Sequence, residues 1–305
     1  MNVFLTGSTG YIGSAVALKL VSNGIAVRGL TRDPAAGDAL RRLGVEPVLG
    51  DLDDSDLLSR EAGRADCVIN AANSDHLGAA ETFVAALSGS DKMYIQSSGS
   101  SVVGDEARGE LNSRVYDETE TLEPAPERAA RVAIDQLVLA APGLRSTVLC
   151  NSMIYGDTQG LPGESVLVAA LARQALSSGV ARYVGRGLNR WSNVHLADLA
   201  DLYLLLLRRQ EPGGFLFVET GEEEMRMIAQ AIANRFGLGA AVAATAEEAE
   251  SAWGWGLANY ALGSNSRVRG QKARAFGWRP KHASITDWIS SPHSRPVVDL
   301  DAFAR

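Results

Sequence analysis

With 305 residues, 46% hydrophobic and 21% charged, the chain has an ordinary globular balance, enough for one large domain or two modest ones. A formal net charge of -7, a pI near 5.2 and the absence of any Lys/Arg run argue against nucleic acid or an anionic membrane surface as a partner. Cys67 and Cys150 each sit inside an apolar run, where they read as small buried hydrophobes, and no spacing suggests a disulfide or a metal site.

Met1 leads straight into the short apolar run Asn2 to Thr6, with no basic n-region and no small-residue cleavage site. No apolar stretch approaches the roughly 20 residues that span a bilayer, so a cytoplasmic protein is expected. The first strand ends in Gly7-Ser8-Thr9-Gly10-Tyr11-Ile12-Gly13. Ser14 to Asn23 follows with apolar residues at helical spacing and stops at Asn23-Gly24, a helix-ending signal. Glycines between a strand and a helix form a dinucleotide-binding fingerprint. Gly7 permits the tight turn, Gly10 lets backbone approach a pyrophosphate, and Gly13 lets the helix pack close to the sheet. Amides and dipole at the helix start then face the anion, with Thr9, Tyr11 and Ile12 beside it.

Ile25 to Leu30 predicts the second strand, whose tip reads Thr31-Arg32-Asp33. An acidic tip would favour NAD(H) through the ribose hydroxyls. Arg32 offers a planar fork to a 2′-phosphate, so NADP(H) is favoured over NAD(H), with Arg28 as a weaker second candidate and Asp33 as a ribose partner should NAD(H) bind. Helices over Ala35 to Leu43, Ser55 to Ala62, Leu77 to Leu87 and Pro126 to Ala140 then alternate with strands over Val45 to Leu49, Cys67 to Ala71, Lys92 to Gln96 and Ser146 to Cys150. That alternation predicts an α/β fold, a Rossmann-type doubly wound parallel sheet covered on both faces.

After Asn151 the rhythm breaks. Val166 to Ser177, Leu196 to Arg208 and Glu222 to Phe236 read as helices, Phe215 to Glu219 as a strand and Tyr183 to Asn193 as irregular. Ala240 to Ala252 reads as a further helix. We therefore expect residues 1–152 plus 189–211 to form the dinucleotide-binding domain, and 153–188 plus 212–305 a smaller mixed substrate domain. Trp253, Trp255, Trp278 and Trp288 fall in this half and suit either an apolar substrate pocket or a small core. Arg190, in a glycine-flanked segment, suits an anionic substrate group; His195 reads as a cleft residue or a packed helix-start histidine, and Asp198 as structural.

The order of these segments resembles the extended and atypical short-chain dehydrogenase/reductases, the group of nucleotide-sugar epimerases and dihydroflavonol-type reductases. The resemblance spans nearly the whole chain. It is carried by the glycine loop, Gly50-Asp51-Leu52-Asp53, Asn70-Ala71-Ala72, Ser97-Ser98, Ile154-Tyr155-Gly156-Asp157, Val194-His195-Leu196-Ala197-Asp198 and Gly277-Trp278-Arg279-Pro280-Lys281. It implies that Asp51 and Leu52 flank the adenine and that Ala71, Ala72 and Ser97 line the cofactor groove. It also implies a small-molecule substrate and a homodimer pairing the helices Leu77 to Leu87 and Pro126 to Ala140.

The departure lies at the chemistry. The family's catalytic pair is a tyrosine with a lysine four residues later, and these positions hold Glu127 and Arg131. A guanidinium has no acid role at neutral pH, which leaves Arg131 to bind the nicotinamide ribose or to pair with Glu127 at i, i+4. Ser98 and Ser100 remain to polarise a carbonyl, and Tyr155 or Tyr116 to supply a phenol. The sequence thus points first to an NADP(H)-dependent oxidoreductase acting on a carbonyl-type substrate. A non-catalytic NAD(P)-binding redox sensor is the alternative, and a nucleotide-sugar epimerase or dehydratase the second.

Overall fold

The computed structural model describes residues 1–297. Its centre is a seven-stranded, wholly parallel sheet built from β1 (Asn2–Thr6), β2 (Ala26–Thr31), β3 (Glu46–Leu49), β4 (Cys67–Asn70), β5 (Met93–Gly99), β6 (Arg145–Asn151) and β7 (Gly214–Val218). Their spatial order is β7-β6-β5-β4-β1-β2-β3. The order reverses beside β1, which opens a crevice at the carboxyl ends of β1 and β4, the place where doubly wound sheets bind ligands.

The period-two alternation of β1 sorts its side chains to two faces. Val3 and Leu5 join Val16 and Leu20 of α1 (Tyr11–Val21), Leu40 of α2 (Pro34–Arg42), and Leu199 and Leu206 of the later helix Leu196–Arg209. Phe4 turns the other way, against Leu58 of α3 (Ser55–Arg64), Phe83 of α4 (Leu77–Leu87) and Val138 of α5 (Pro126–Leu139). Fully burying each of these side chains contributes about 1.5–3 kcal/mol relative to exposure.

A second core lies beside the carboxyl end of the sheet. It gathers Met153 and Tyr155, Val168 and Leu171 of α6 (Val166–Ser178), and Met225, Ile228 and Ile232 of α8 (Met225–Phe236), with α7 (Leu196–Arg209) reaching back to the main sheet. Its backbone is a three-stranded sheet of Met153–Tyr155, Arg190–His195 and Gly221–Glu224.

Several expectations change. Strand β7 extends the main sheet beside β6, although residues 212 onward were expected in the smaller domain. Trp278, from the same stretch, is buried in the main core and donates its indole N–H to the Asp198 carbonyl at 2.8 Å. The stretch 183–193, expected to be irregular, overlaps strands Arg182–Val184 and Arg190–His195, and the latter, expected in the dinucleotide-binding domain, pairs in the three-stranded sheet. Residues 298–305 of the expected smaller domain lie outside the described residues. Among the described residues no helix is long and apolar enough to cross a membrane.

Candidate active site

Gly7 takes φ +66°, a conformation open to glycine, and a Cβ there would strike the Ala71 carbonyl. A Cβ on Gly13 would strike the Gly7 carbonyl, so the close packing this glycine permits is of helix on loop. Gly10 differs. A Cβ there meets only the Gly7 carbonyl, at 3.3 Å, and otherwise stands in the groove that Gly10 lines. Helix α1 begins at Tyr11, three residues before the Ser14 start expected from the periodicity, and no side chain caps it. The amides of Tyr11, Ile12 and Gly13 have no partner within the helix. They form an open anion cradle of the kind a pyrophosphate occupies, and the residues present fit a dinucleotide.

Two cavities meet at Ala72, beside this cradle. The first, about 420 Å³, is lined by Gly7, Thr9, Thr31, Arg32, Asp51, Leu52, Asp53 and Ala72. Arg32 is exposed there and makes no ion pair among the described residues. Arg28 is engaged by Glu46 and by buried Glu61, which removes it as a second candidate for a phosphate. The Asp33 carboxylate accepts the Ala35 amide at 2.8 Å as the cap of α2. Asp51 accepts the Asp53 amide at 2.9 Å.

The second cavity, about 460 Å³, is lined by Tyr11, Ile12, Ala71, Ser97, Ser98, Ser100, Arg128 and Arg131, with an apolar wall of Met153, Ile154, Val166, Leu167 and Trp191. Ser97 is tied to the Tyr203 hydroxyl at 2.5 Å and Ser100 to Ser266 at 2.7 Å. Ser98 donates to Asp135 Oδ2 at 2.7 Å. Asp135 is 2% exposed, and burial pushes its carboxyl up to about 7, against the lowering effects of the Ser98 hydrogen bond and of Arg131. Its second oxygen has no hydrogen-bond partner. Asp135 escaped the sequence reading, although one signal was present: it shares an inward helical face with Val132 and Val138.

Arg131 lines the cavity, but its fork closes on Asp75 (Nε to Oδ1, 2.7 Å), with a further bond to Ser101 at 3.1 Å; the partner is not Glu127. The hydrogen bond from Arg131 holds the Asp75 carboxyl below its usual range. Arg128 stands beside it with its guanidinium 5.6 Å from the Tyr260 ring centre and its Nε buried without a hydrogen-bond partner.

Tyr155 does not join this group. Its side chain is fully buried in the second core, edge-on to His195 (5.2 Å) and beside Trp288 (5.7 Å), and burial pushes its phenol up to about 12. Tyr116 lies in a two-residue strand under the Arg114 guanidinium, outside both cavities. His195 accepts the Ala197 amide at 3.2 Å as the cap of α7 and stacks on His282; burial and then that neighbour push it down to about 4. Asp198 binds the backbone of Lys281 and His282. Arg190 pairs with Glu224 at 2.6 Å. Of the tryptophans, Trp191 lines the second cavity, and the four later ones do not.

Comparison with known proteins agrees with this architecture. The chain is 27% identical to the uncharacterized protein C2A9.02 of Schizosaccharomyces pombe, over 95% of this chain and 99% of that one. It is 29% identical to the oxidase ucsJ of an Acremonium species (91% and 92%). It is 27% identical to a 4-hydroxy-2-methyl-3-oxo-4-farnesyl-3,4-dihydroquinoline-1-oxide ketoreductase of Stigmatella aurantiaca (72% and 69%). The fold superposes on a UDP-glucose 4-epimerase of Thermotoga maritima with a TM-score of 0.73 at 19% identity, covering 95% of this chain and 96% of that one. Residues 3–216 match a single family over most of the chain, so the protein belongs to the NAD dependent epimerase/dehydratase family and stands among nicotinamide-dependent enzymes.

Proposed function

We propose that the protein is an NADP(H)-dependent oxidoreductase that moves hydride between the nicotinamide and a carbonyl-type small organic substrate. The observation that carries this reading is the continuity of the groove: the phosphate cradle opens on one side to unpaired Arg32 and on the other to Ser98 in an apolar chamber. Gly7, Gly10 and the first turn of α1 hold the pyrophosphate, Asp51 and Leu52 flank the adenine, and Ala71, Ala72 and Ser97 line the path inward. With Asp33 occupied as a helix cap, Arg32 is the side chain offered to the ribose end, and a 2′-phosphate is its natural partner. The bound cofactor supplies hydride to the carbonyl carbon; the chain must orient the carbonyl, exclude water and manage a proton. Ser98 is placed to hydrogen-bond the carbonyl oxygen, while Ser100 and the Arg131–Asp75 pair shape the chamber floor.

The apolar wall of Met153, Ile154, Val166, Leu167 and Trp191 favours a substrate with an apolar body, in keeping with the farnesyl group in the name of the ketoreductase relative. Arg190 is held by Glu224 and Glu222, which leaves no clamp there for a sugar-nucleotide diphosphate. A homodimer through α4 and α5 belongs to the same proposal, and light scattering tests it. Following NADPH absorbance across ketones, aldehydes, enones and quinones tests the function. Turnover of at least one class is expected, and none across the panel would leave the redox-sensor reading in its place.

A further inference from the structure

We infer that Ser98 and Asp135 together form the proton relay of this site, the task that the resemblance assigns to a tyrosine and a lysine. This rests on the oxidoreductase reading above and deepens it. The geometry comes first. Ser98 is the side chain of the β5 tip that both lines the substrate chamber and reaches inward to a carboxyl, at 2.7 Å. The Arg131 fork is closed on Asp75 and Ser101, and Tyr155 faces the other core.

Two protonation states follow from one hydrogen bond. When Asp135 is a carboxylate, it holds the Ser98 hydrogen and points it away from the chamber. When Asp135 is a carboxylic acid, it donates to Ser98 Oγ, and the serine hydrogen is free to face a carbonyl oxygen. In the reducing direction the carbonyl carbon receives hydride, and the C=O π pair becomes a lone pair on oxygen. The Ser98 O–H bond breaks as the new substrate O–H bond forms, and the Asp135 proton restores the serine hydroxyl. Asp135 is left as carboxylate and regains its proton from water through Ser98 once product leaves. Electrons and protons balance: the reduced nicotinamide gives one hydride, which carries both electrons, and Asp135 gives one proton. Ser98 is the catalytic residue; Asp135 acts through it.

The groups facing Asp135 are few. Arg131 lies on its own helix and lowers it, while Asp75, from the loop after β4, raises it. Tyr94 of β5 and Cys150 of β6 are buried and themselves pushed up, by burial first, so both stay neutral. The only charged residue of α4, Glu81, is exposed. Among the described residues, no lysine or second arginine closes on the carboxyl, and burial keeps it near neutrality.

The test has two arms. Infrared or carbon-13 NMR titration of the free protein should show one carboxyl changing state near neutral pH, absent in Asp135→Asn. NADPH-dependent reduction by the wild type should fall above that same pH. In Asp135→Asn and Ser98→Ala, kcat should drop by about 10²–10³-fold and the inflection should vanish, with NADPH binding retained. A thermal melt and an NADPH titration confirm that each variant is folded. If Asp135 does not titrate between about pH 6 and 8, or if Asp135→Asn keeps the wild-type profile, the relay is wrong while the oxidoreductase reading stands. If the wild type reduces nothing, the reading falls and takes the relay with it.

Discussion

Replacing Asp135 by asparagine should stabilise the fold, and more so in alkali than in acid. The carboxyl rises from its ordinary 3.8 in the unfolded chain to about 7 in the fold, because burial disfavours the charge. The native state therefore holds the proton more tightly. Its stabilising contribution is complete below about pH 4 and is lost as pH climbs from there through about 7. Above that window the fold carries an ionised carboxylate with one unpartnered oxygen, a burden of about 4 kcal/mol from the size of the rise. Between about pH 5 and pH 8.5 the linkage relation puts the loss at roughly 3 kcal/mol. Asparagine keeps an acceptor for Ser98 and has no charge to bury. Urea unfolding of both proteins at those two pH values measures the difference, read as the change in midpoint multiplied by m. The variant should gain roughly 3 kcal/mol on the wild type in going from the lower pH to the higher. A gap that is constant with pH would refute the reasoning, because it would mean Asp135 is ionised throughout.

Other outcomes follow from the same geometry. Arg32→Ala should weaken NADPH by about 10–100-fold, the worth of one charge-assisted contact, and leave NADH unchanged in a fluorescence titration. Gly10→Ala should fold like the wild type yet lose dinucleotide binding, whereas Gly13→Ala should lower the melting temperature, since its Cβ collides with the backbone of Gly7. Tyr155→Phe should leave kcat/KM on any substrate found within a factor of about two, because the phenol lies outside the chamber. His195, pushed down to about 4 by burial, costs stability as pH falls from about 6.5 through 4; His195→Asn, which can still cap α7, should flatten that acid limb in a melt series.

The first half of the fold was legible because its strands are apolar on both faces and its helices carry turn and cap signals; Leu77–Leu87 has the expected bounds and Pro126–Leu139 ends one residue early. The second half hid its strands for a physical reason. Gly221–Glu224 reads as the acid-rich start of a helix, yet it is extended, because Glu224 lies opposite Arg190 in register and Glu222 is gripped by Arg267 at 2.9 Å and Arg269 at 3.2 Å. Cross-strand charge pairs of this kind are invisible until the strands meet. The groove proposed for the cofactor was marked in the sequence by its glycines and alanines, whose smallness lets backbone close in there. The chemical end was less so. Ser98 stood out as a residue, but its partner lies 37 positions away, and Tyr155, attractive from its place after a strand, turns inward because its neighbours His195 and Trp288 build a core there.

The start of α1 is also one place where the later part of the chain packs on the first. The Tyr11 hydroxyl donates to the Gly156 carbonyl at 2.5 Å, Gly160 lies against the backbone of Ser14, and a Cβ on Gly163 would come within 3.1 Å of Tyr11 Cα. A loop from the later part of the chain is thus seated on the turn proposed to receive the diphosphate, with glycines at the contact. That turn is therefore both the start of α1 and the seat of the loop 156–163. Side chains introduced at 160 or 163 would strike the first turn of α1, and on the proposed reading would alter nucleotide residence time without touching the nucleotide.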